Sequence, residues 1–307
     1  MTQVFSPFDP FKPARIIKTV ATTEIVQGYK KVYGLDVARL FHSIPEIYLC
    51  ECPITNLQFY FPFKLDGDQR FYEELSGKEW YYDQERWEHL EVISRIHSNE
   101  HLLEIGSGDG AFLTKLKNNK AVHCTGLEFN PNAIKRGREK GIDLAQQSIS
   151  DHVKQQAGKY DVVCSFQVME HISEIHSVLL DSIKALKPHG RLVIAVPNND
   201  AYFLKDNIHP SRYLNMPPHH VNLFTENSLS ALVKIYPLRL VEIVKEPMQE
   251  THVDIFIYKV LSKLVLGNNF LTKLIWKTRG PLFFRPLIRR YRRRITGHTI
   301  IAIFEKI

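Results

Sequence analysis

Residues 102–112, LLEIGSGDGAF, constrain this chain more than any other stretch. A short apolar run meets glycines at 106, 108 and 110, and an apolar pattern resumes behind them. Such a stretch is a strand entering a tight turn that opens a helix, where glycine tolerates the backbone angles and lets a ligand approach closely. Gly106, Gly108 and Ala111 satisfy the G-x-G-x-x-G/A spacing of dinucleotide-binding turns, which points to a diphosphate. Glu104, two residues before the first glycine, points elsewhere. A carboxylate beneath that turn faces a diphosphate as a like charge, at a cost of about 4 kcal/mol for ~4 Å and an effective dielectric near 20. A nucleoside carrying positive charge at that point removes the conflict.

The pattern around this turn is regular. Strands are expected at 102–105, 122–128, 142–147, 160–166 and 191–197, with helices at 111–118, 131–140, 151–156 and 173–186 between them. A helix from about 83 to 96 precedes this series. Alternating elements of these lengths imply parallel β-α-β units with right-handed crossovers. A helix over 225–235, N-capped by Thr225, and strands at 238–244 and 298–304 follow. Residues 1–86 read as short strands and turns among scattered aromatics and prolines, with no regular period.

Charge is unevenly placed. The chain of 307 residues carries a formal +7, but residues 251–297 hold eleven Lys/Arg against one acid, Asp254. The basic character therefore belongs to one segment. Four cysteines stand at 50, 52, 124 and 164; the C-x-C pair in YLCECP has no second pair at zinc spacing, so no metal site is expected, and free thiols suit a reducing compartment. No secretory signal pattern opens the chain, and no apolar run is long enough to span a membrane. The expected location is the cytoplasm.

Glu128 ends the second strand, where an acid can accept ribose hydroxyls; this alone does not separate a nicotinamide dinucleotide from an adenosyl compound. The rest of the chain does. LLEIGSGDG, GLEFN (126–130), YDVVCSFQVMEHI (160–172), LKPHGRLVIAVPN (186–198) and PPHHVNLFTENSL (217–229), in this order, resemble the class I S-adenosylmethionine-dependent methyltransferases. The resemblance covers residues 85–247 and the last ten. It implies an α/β Rossmann-like fold: a seven-stranded, mostly parallel sheet with an antiparallel last strand. To this are added an N-terminal appendage (1–84) and a helical basic insertion (251–297) between the core (85–250) and its last strand (298–307). The implied cofactor is S-adenosyl-L-methionine. Glu104, Gly106, Gly108 and Gly110 then flank its methionine part, Glu128 holds the ribose, Ser148 and Ile149 lie by the adenine, and Phe166 and Gln167 end the fourth strand near the methionine. Two positions depart from the family: His189 stands where glycine is usual, and QQSI (146–149) lacks the acid many relatives place near the adenine.

Methyl transfer to oxygen or nitrogen needs a base, and histidine titrates in the right range. His220 and His171 are the catalytic candidates; Tyr82, Glu170 and His219 are candidates for touching substrate. Tyr81, Tyr82 and Trp87, in WYYDQERW (80–87), either close the pocket or pack an appendage. The expected acceptor is a small molecule, a sugar or a lipid-linked saccharide. The insertion places Lys259, Lys263, Lys273 and Lys277 one helical turn apart in pairs amid Ile, Leu, Phe and Trp, followed by FFRPLIRRYRRR (283–294). Residues 253–294 thus suit an anionic membrane surface; a substrate lid and an RNA grip are the alternatives. A nicotinamide-dependent oxidoreductase and an RNA methyltransferase are the competing activities.

Overall fold

The computed structural model describes residues 3–78, 86–201, 210–264 and 270–307. In chain order the strands are β1 (Phe5–Ser6), β2 (Asp9–Pro13), β3 (Arg15–Ala21), β4 (Glu46–Glu51), β5 (Gln58–Phe61), β6 (His101–Ile105), β7 (His123–Leu127), β8 (Asp143–Ala145), β9 (Tyr160–Phe166), β10 (Leu186–Pro197), β11 (Asn222–Leu223), β12 (Leu238–Pro247) and β13 (Thr296–Lys306). The α-helices are α1 (Thr22–Tyr33), α2 (Gln69–Ser76), α3 (Trp87–Ile93), α4 (Ala111–Asn119), α5 (Pro131–Glu139), α6 (Ile149–Gln156), α7 (Ile175–Ala185), α8 (Glu226–Ser230), α9 (Val253–Leu264), α10 (Phe270–Lys277) and α11 (Arg285–Tyr291).

The main sheet has seven strands in the order β12-β13-β10-β9-β6-β7-β8. The five from β10 to β8 are parallel, and β13 runs antiparallel between β10 and β12. Alternate side chains feed two cores, as the pleat requires. Leu103, Ile105, Val163, Leu192 and Ile194 face one cluster with α6 and α7; Leu102, Val162, Cys164, Val193 and Ala195 face another with α3, α4 and α5. Burial on both faces explains the nearly unbroken apolar run of YDVVCSF. The strand order reverses between β6 and β9, so a crevice opens at their carboxyl ends. Both the glycine turn and the residues after Phe166 emerge there.

The appendage is more ordered than its sequence suggests. It holds α1, α2 and a four-stranded antiparallel sheet, β11-β5-β4-β3. Its fourth strand, β11, comes from the segment after β10, so the division at residue 84 cuts the chain but not the packing. Tyr29, Phe71 and Leu75 share a buried cluster with Met216, Val221 and Leu223, and Tyr29 Oη donates to the Met216 carbonyl at 3.0 Å. Cys50 and Cys52 are buried in the larger apolar core, with Cys52 Sγ 3.1 Å from Ser6 Oγ.

Three sequence expectations change. The helix expected at 225–235 is capped by Thr225 in a reciprocal box with Ser228, but only Glu226–Ser230 is α-helical; Ala231–Lys234 tightens to a 3₁₀ turn before Pro237. Of the helix expected from 83, residues 83–85 lie outside the described residues, and α3 runs Trp87–Ile93. In the insertion, Lys259 is 1% exposed, so it belongs to the interior of α9 and not to a solvated basic face. His189 adopts φ 61°, the left-handed conformation that explains why glycine is usual there, and its exposed ring meets Glu305.

Candidate functional site

The glycine turn is built against the end of β7. Gly106, Gly108 and Gly110 have φ of 70°, 56° and 72°, a region that favours glycine. A Cβ on Gly106 would lie 2.5 Å from Val168 Cγ2, so the turn and the residues after β9 are in direct contact. The N–H groups of Gly106 and Ser107 donate to the Leu127 carbonyl at 2.9 and 3.0 Å, and Gly108 N–H donates to Glu128 Oε2 at 2.8 Å. These three amides are therefore committed to protein acceptors and not presented to a phosphate. Glu128 Oε1 accepts from the N–H groups of Phe129 and Asn130, both at 2.8 Å. Oε1 thereby has both lone pairs engaged, while Oε2, with one donor, keeps a lone pair that a ribose hydroxyl can use.

Glu104 lies beneath this turn, 3% exposed, and its Oε2 has no hydrogen-bond partner. Burial holds its carboxyl well above the usual carboxylate range; Glu128 and Asp109 push the same way, while the Arg86 guanidinium opposes them. A buried acid with an unpartnered oxygen, under the influence of two further acids, Glu128 and Asp109, is a site for a cation. The residues thus fit the ammonium and sulfonium of S-adenosylmethionine and oppose a diphosphate.

Other cofactor candidates fall unevenly. Gln167 takes φ 56° at the end of β9, and its amide donates to Glu88 Oε1 at 3.4 Å. Phe166 turns away from the crevice: it is 3% exposed in the core, with Phe112 at 4.6 Å and His89 at 4.9 Å between ring centroids. Its side chain therefore packs and does not line the site, because the side chain before Gln167 falls on the opposite face of the pleat. Ser148 N-caps α6, accepting from Asp151 N–H at 3.0 Å and donating to Asp151 Oδ2 at 2.7 Å. Its hydroxyl is already committed, which leaves Asp151 as the acid at that edge; Ile149 is buried beside it. Phe129, 67% exposed next to Glu128, is an apolar plane that the motif reading overlooked.

The second half of the site is a histidine cluster. His171 follows β9; His219 and His220 arrive on the loop before β11. Ring centroids are 4.5 Å apart for His171–His219, 5.0 Å for His171–His220 and 4.4 Å for the nearly parallel His219–His220 pair. Burial lowers His171 to about 4 and holds His219 and His220 well below the usual imidazole range, so all three are neutral near pH 7. Glu170 is 1% exposed, and burial raises it to about 8. Tyr72 of the appendage sets its ring edge-on to His171 at 5.8 Å. Tyr82 lies outside the described residues. Sequence reasoning missed Arg86, whose charge acts on Glu88, Glu104 and Glu170, and Asn215, which orients His220. Arg86 stands at the start of the helix expected from 83 and Asn215 in the loop before β11, and no motif marks either.

The model of a methyltransferase domain family matches residues 80–243, just over half of the chain. The chain belongs to that family, within the class I S-adenosylmethionine-dependent methyltransferases, and its cofactor is S-adenosyl-L-methionine. Among named relatives it is 31% identical over 106 residues to a ubiquinone biosynthesis O-methyltransferase of Cronobacter sakazakii, an alignment covering 33% of this chain and 43% of that one. The enzyme of the same name from Pectobacterium atrosepticum is 26% identical over 180 residues, covering 55% and 70%. The chain thus spans less than half the length of the first of these. Among solved structures, a SAM-dependent methyltransferase from Archaeoglobus fulgidus aligns with a TM-score of 0.45 at 17% identity, covering 78% of this chain and all of that one. A putative sarcosine dimethylglycine methyltransferase from Galdieria sulphuraria aligns with a TM-score of 0.45 at 17% identity, covering 71% and 83%.

Proposed function

We propose that the chain transfers a methyl group to a hydroxyl of a small-molecule acceptor, a sugar or a lipid-linked saccharide, taken from an anionic membrane surface. The observation that carries the transfer itself is the buried Glu104 carboxyl, its Oε2 without a hydrogen-bond partner, under a turn whose first amides are already bonded. The relatives named as O-methyltransferases support oxygen as the methylated atom. The cofactor, when bound, supplies an electrophilic methyl on a sulfonium and leaves as a neutral thioether. Glu104 then holds the ammonium and Glu128 the ribose, which fixes where the methyl lies. Orientation of this kind can contribute about 7–11 kcal/mol. Val168, packed on Gly106, carries the chain directly from that point to Glu170 and His171. Removal of the acceptor proton is assigned to the histidine cluster, a contribution of about 10²–10⁴ in rate.

The insertion supports the membrane part of this reading. Leu264, Phe270 and Phe283 are 76%, 79% and 85% exposed, in the same segment as the exposed Lys273, Lys277 and Arg290. A cavity of about 530 Å³ opens among Phe256, Val260, Leu261, Ile275 and Ile288. Exposed aromatics flanked by basic residues fit lipid better than RNA, whose bases need polar readers. Among the described residues no helix is long and apolar enough to cross a membrane, so the contact would be peripheral. The test is incubation of methyl-labelled cofactor with fractionated cell extract. Label is expected in the lipid-extractable fraction. Label in RNA or protein, or in no fraction, would overturn the assignment.

A further inference from the structure

The three histidines share an arrangement that a base alone does not need. His171 Nδ1 is 2.5 Å from the His219 carbonyl, and His219 Nδ1 is 3.0 Å from the Leu214 carbonyl. A carbonyl oxygen only accepts, so both Nδ1 atoms carry the proton and both Nε2 atoms carry a lone pair. His220 is fixed through a relay. The Asn199 amide donates to the carbonyls of Pro197 and Phe224, so its Oδ1 faces Asn215 and accepts from Asn215 Nδ2 at 2.7 Å. That leaves Asn215 Oδ1 to accept from His220 Nδ1 at 2.9 Å. All three rings are thereby held in one tautomer, with Nε2 as the basic nitrogen. One ring nitrogen from each lies within 4.8 Å of the other two. Beside them, Glu170 Oε1 is 3.7 Å from His171 Nε2, and neither Glu170 oxygen has a hydrogen-bond partner.

We propose that His171, His219 and His220 form a binding site for a divalent transition-metal ion of the Zn²⁺ class, with Glu170 as its charge partner. Metal-bound imidazoles characteristically donate their other N–H to a carbonyl or amide oxygen, which is what all three rings do here. Three neutral nitrogens and one carboxylate suit Zn²⁺ and its neighbours and do not suit Mg²⁺ or Ca²⁺. Zn–N bonds of about 2.0–2.1 Å put tetrahedral nitrogens roughly 3.4 Å apart, so the rings draw together by about an ångström. His171, with 16% of its side chain exposed, is the open side from which an acceptor reaches the ion. The role in catalysis rests on the methyl-transfer reading. With the ion bound, the cluster would act through it and not as a general base: the ion would lower the pKa of an acceptor hydroxyl, whose proton leaves to solvent. The oxygen–methyl bond then forms as the sulfur–methyl bond breaks and its electron pair stays on sulfur.

The test uses tag-free, full-length protein stripped with a chelator and titrated with Co²⁺ alone. We expect one equivalent bound per chain, with visible ligand-field absorption of tetrahedral intensity that Zn²⁺ abolishes. His171→Gln and His220→Gln should lose the band, and the surface change His97→Gln should keep it. Asn215→Leu retains all three rings but frees the His220 tautomer, and should weaken Co²⁺ binding about 10–100-fold. S-adenosylhomocysteine binding, followed by calorimetry, reports that each variant is folded. The site is refuted if folded wild type binds no stoichiometric Co²⁺, or if His220→Gln binds it equally well. Stoichiometric binding without methyl transfer to any extract would instead refute the proposed activity and leave the site standing.

Discussion

Replacing Glu104 with glutamine should move affinity and stability in opposite directions. The side chain is 3% exposed, and one of its oxygens has no hydrogen-bond partner. In the free protein its charge is a liability, because burial raises its pKa well above the usual carboxylate range. A carboxyl raised in the folded state favours folding at low pH, and that benefit is lost as pH rises through the folded value. The free protein should therefore lose stability as pH rises above the usual Glu range, and Glu104→Gln should flatten that slope. At neutral pH and above the unfolded chain carries this carboxyl ionised while burial opposes its charge in the fold, so removing that conflict should add at least ~1 kcal/mol, about 2–4 °C in Tm for a domain of this size. With the cofactor bound, the same carboxylate meets an ammonium. A hydrogen bond between charged groups contributes about 1.5–3 kcal/mol, so affinity for S-adenosylhomocysteine should fall about 10–150-fold. Thermal unfolding at several pH values and isothermal titration calorimetry measure the two effects. Unchanged or tighter binding by the variant, or a lower Tm above pH 7 without ligand, would refute the reasoning.

Other perturbations test other links. Gly106→Ala forces a left-handed φ on alanine and drives a Cβ into Val168; it should lower Tm and reduce S-adenosylhomocysteine affinity at least ~10-fold, both measurable on one purified sample. Arg191 makes two bonds to the Glu100 carboxylate, at 2.6 and 2.8 Å, and a third to the Arg95 carbonyl, all part-buried. Arg191→Ala should cost about 2–3 kcal/mol in urea unfolding while leaving cofactor affinity within about twofold. His220→Ala should reduce turnover at least ~10-fold with S-adenosylhomocysteine binding intact; near-native turnover would remove His220 from the chemistry. Phe283→Asp, at a side chain 85% exposed, should abolish sedimentation with anionic vesicles without changing Tm, and retained sedimentation would argue against this face.

The core was legible because its period was clean. The run from β6 to β10, the glycine turn and the cap at Thr225 all follow from apolar spacing and turn chemistry, and the described element bounds mostly fall within two or three residues of those expected. Glu104 could be singled out because its charge conflicts with the commoner reading of the motif beside it. The appendage was not legible: α1 begins at Thr22 with no side-chain cap, α2 follows its Asp68 cap in a stretch crowded with aromatics, and β11 pairs with β5 across 161 residues or more of chain. Phe166 went astray because a strand's last two residues face opposite ways, and sequence position alone does not say which faces the crevice. The meeting of His171 with His219 and His220 is a tertiary fact. The sequence placed each near the site, but only packing of the appendage on the loop before β11 brings the rings within 4.4–5.0 Å and fixes their tautomers.

The central claim is that a buried carboxylate under a glycine turn selects a cationic adenosyl compound over a diphosphate. Calorimetric titration of the same protein with S-adenosylhomocysteine and with NADH tests it most directly. The account predicts saturable one-to-one binding of the first and no measurable heat from the second. Saturable binding of NADH, with none of the adenosyl compound, would contradict it.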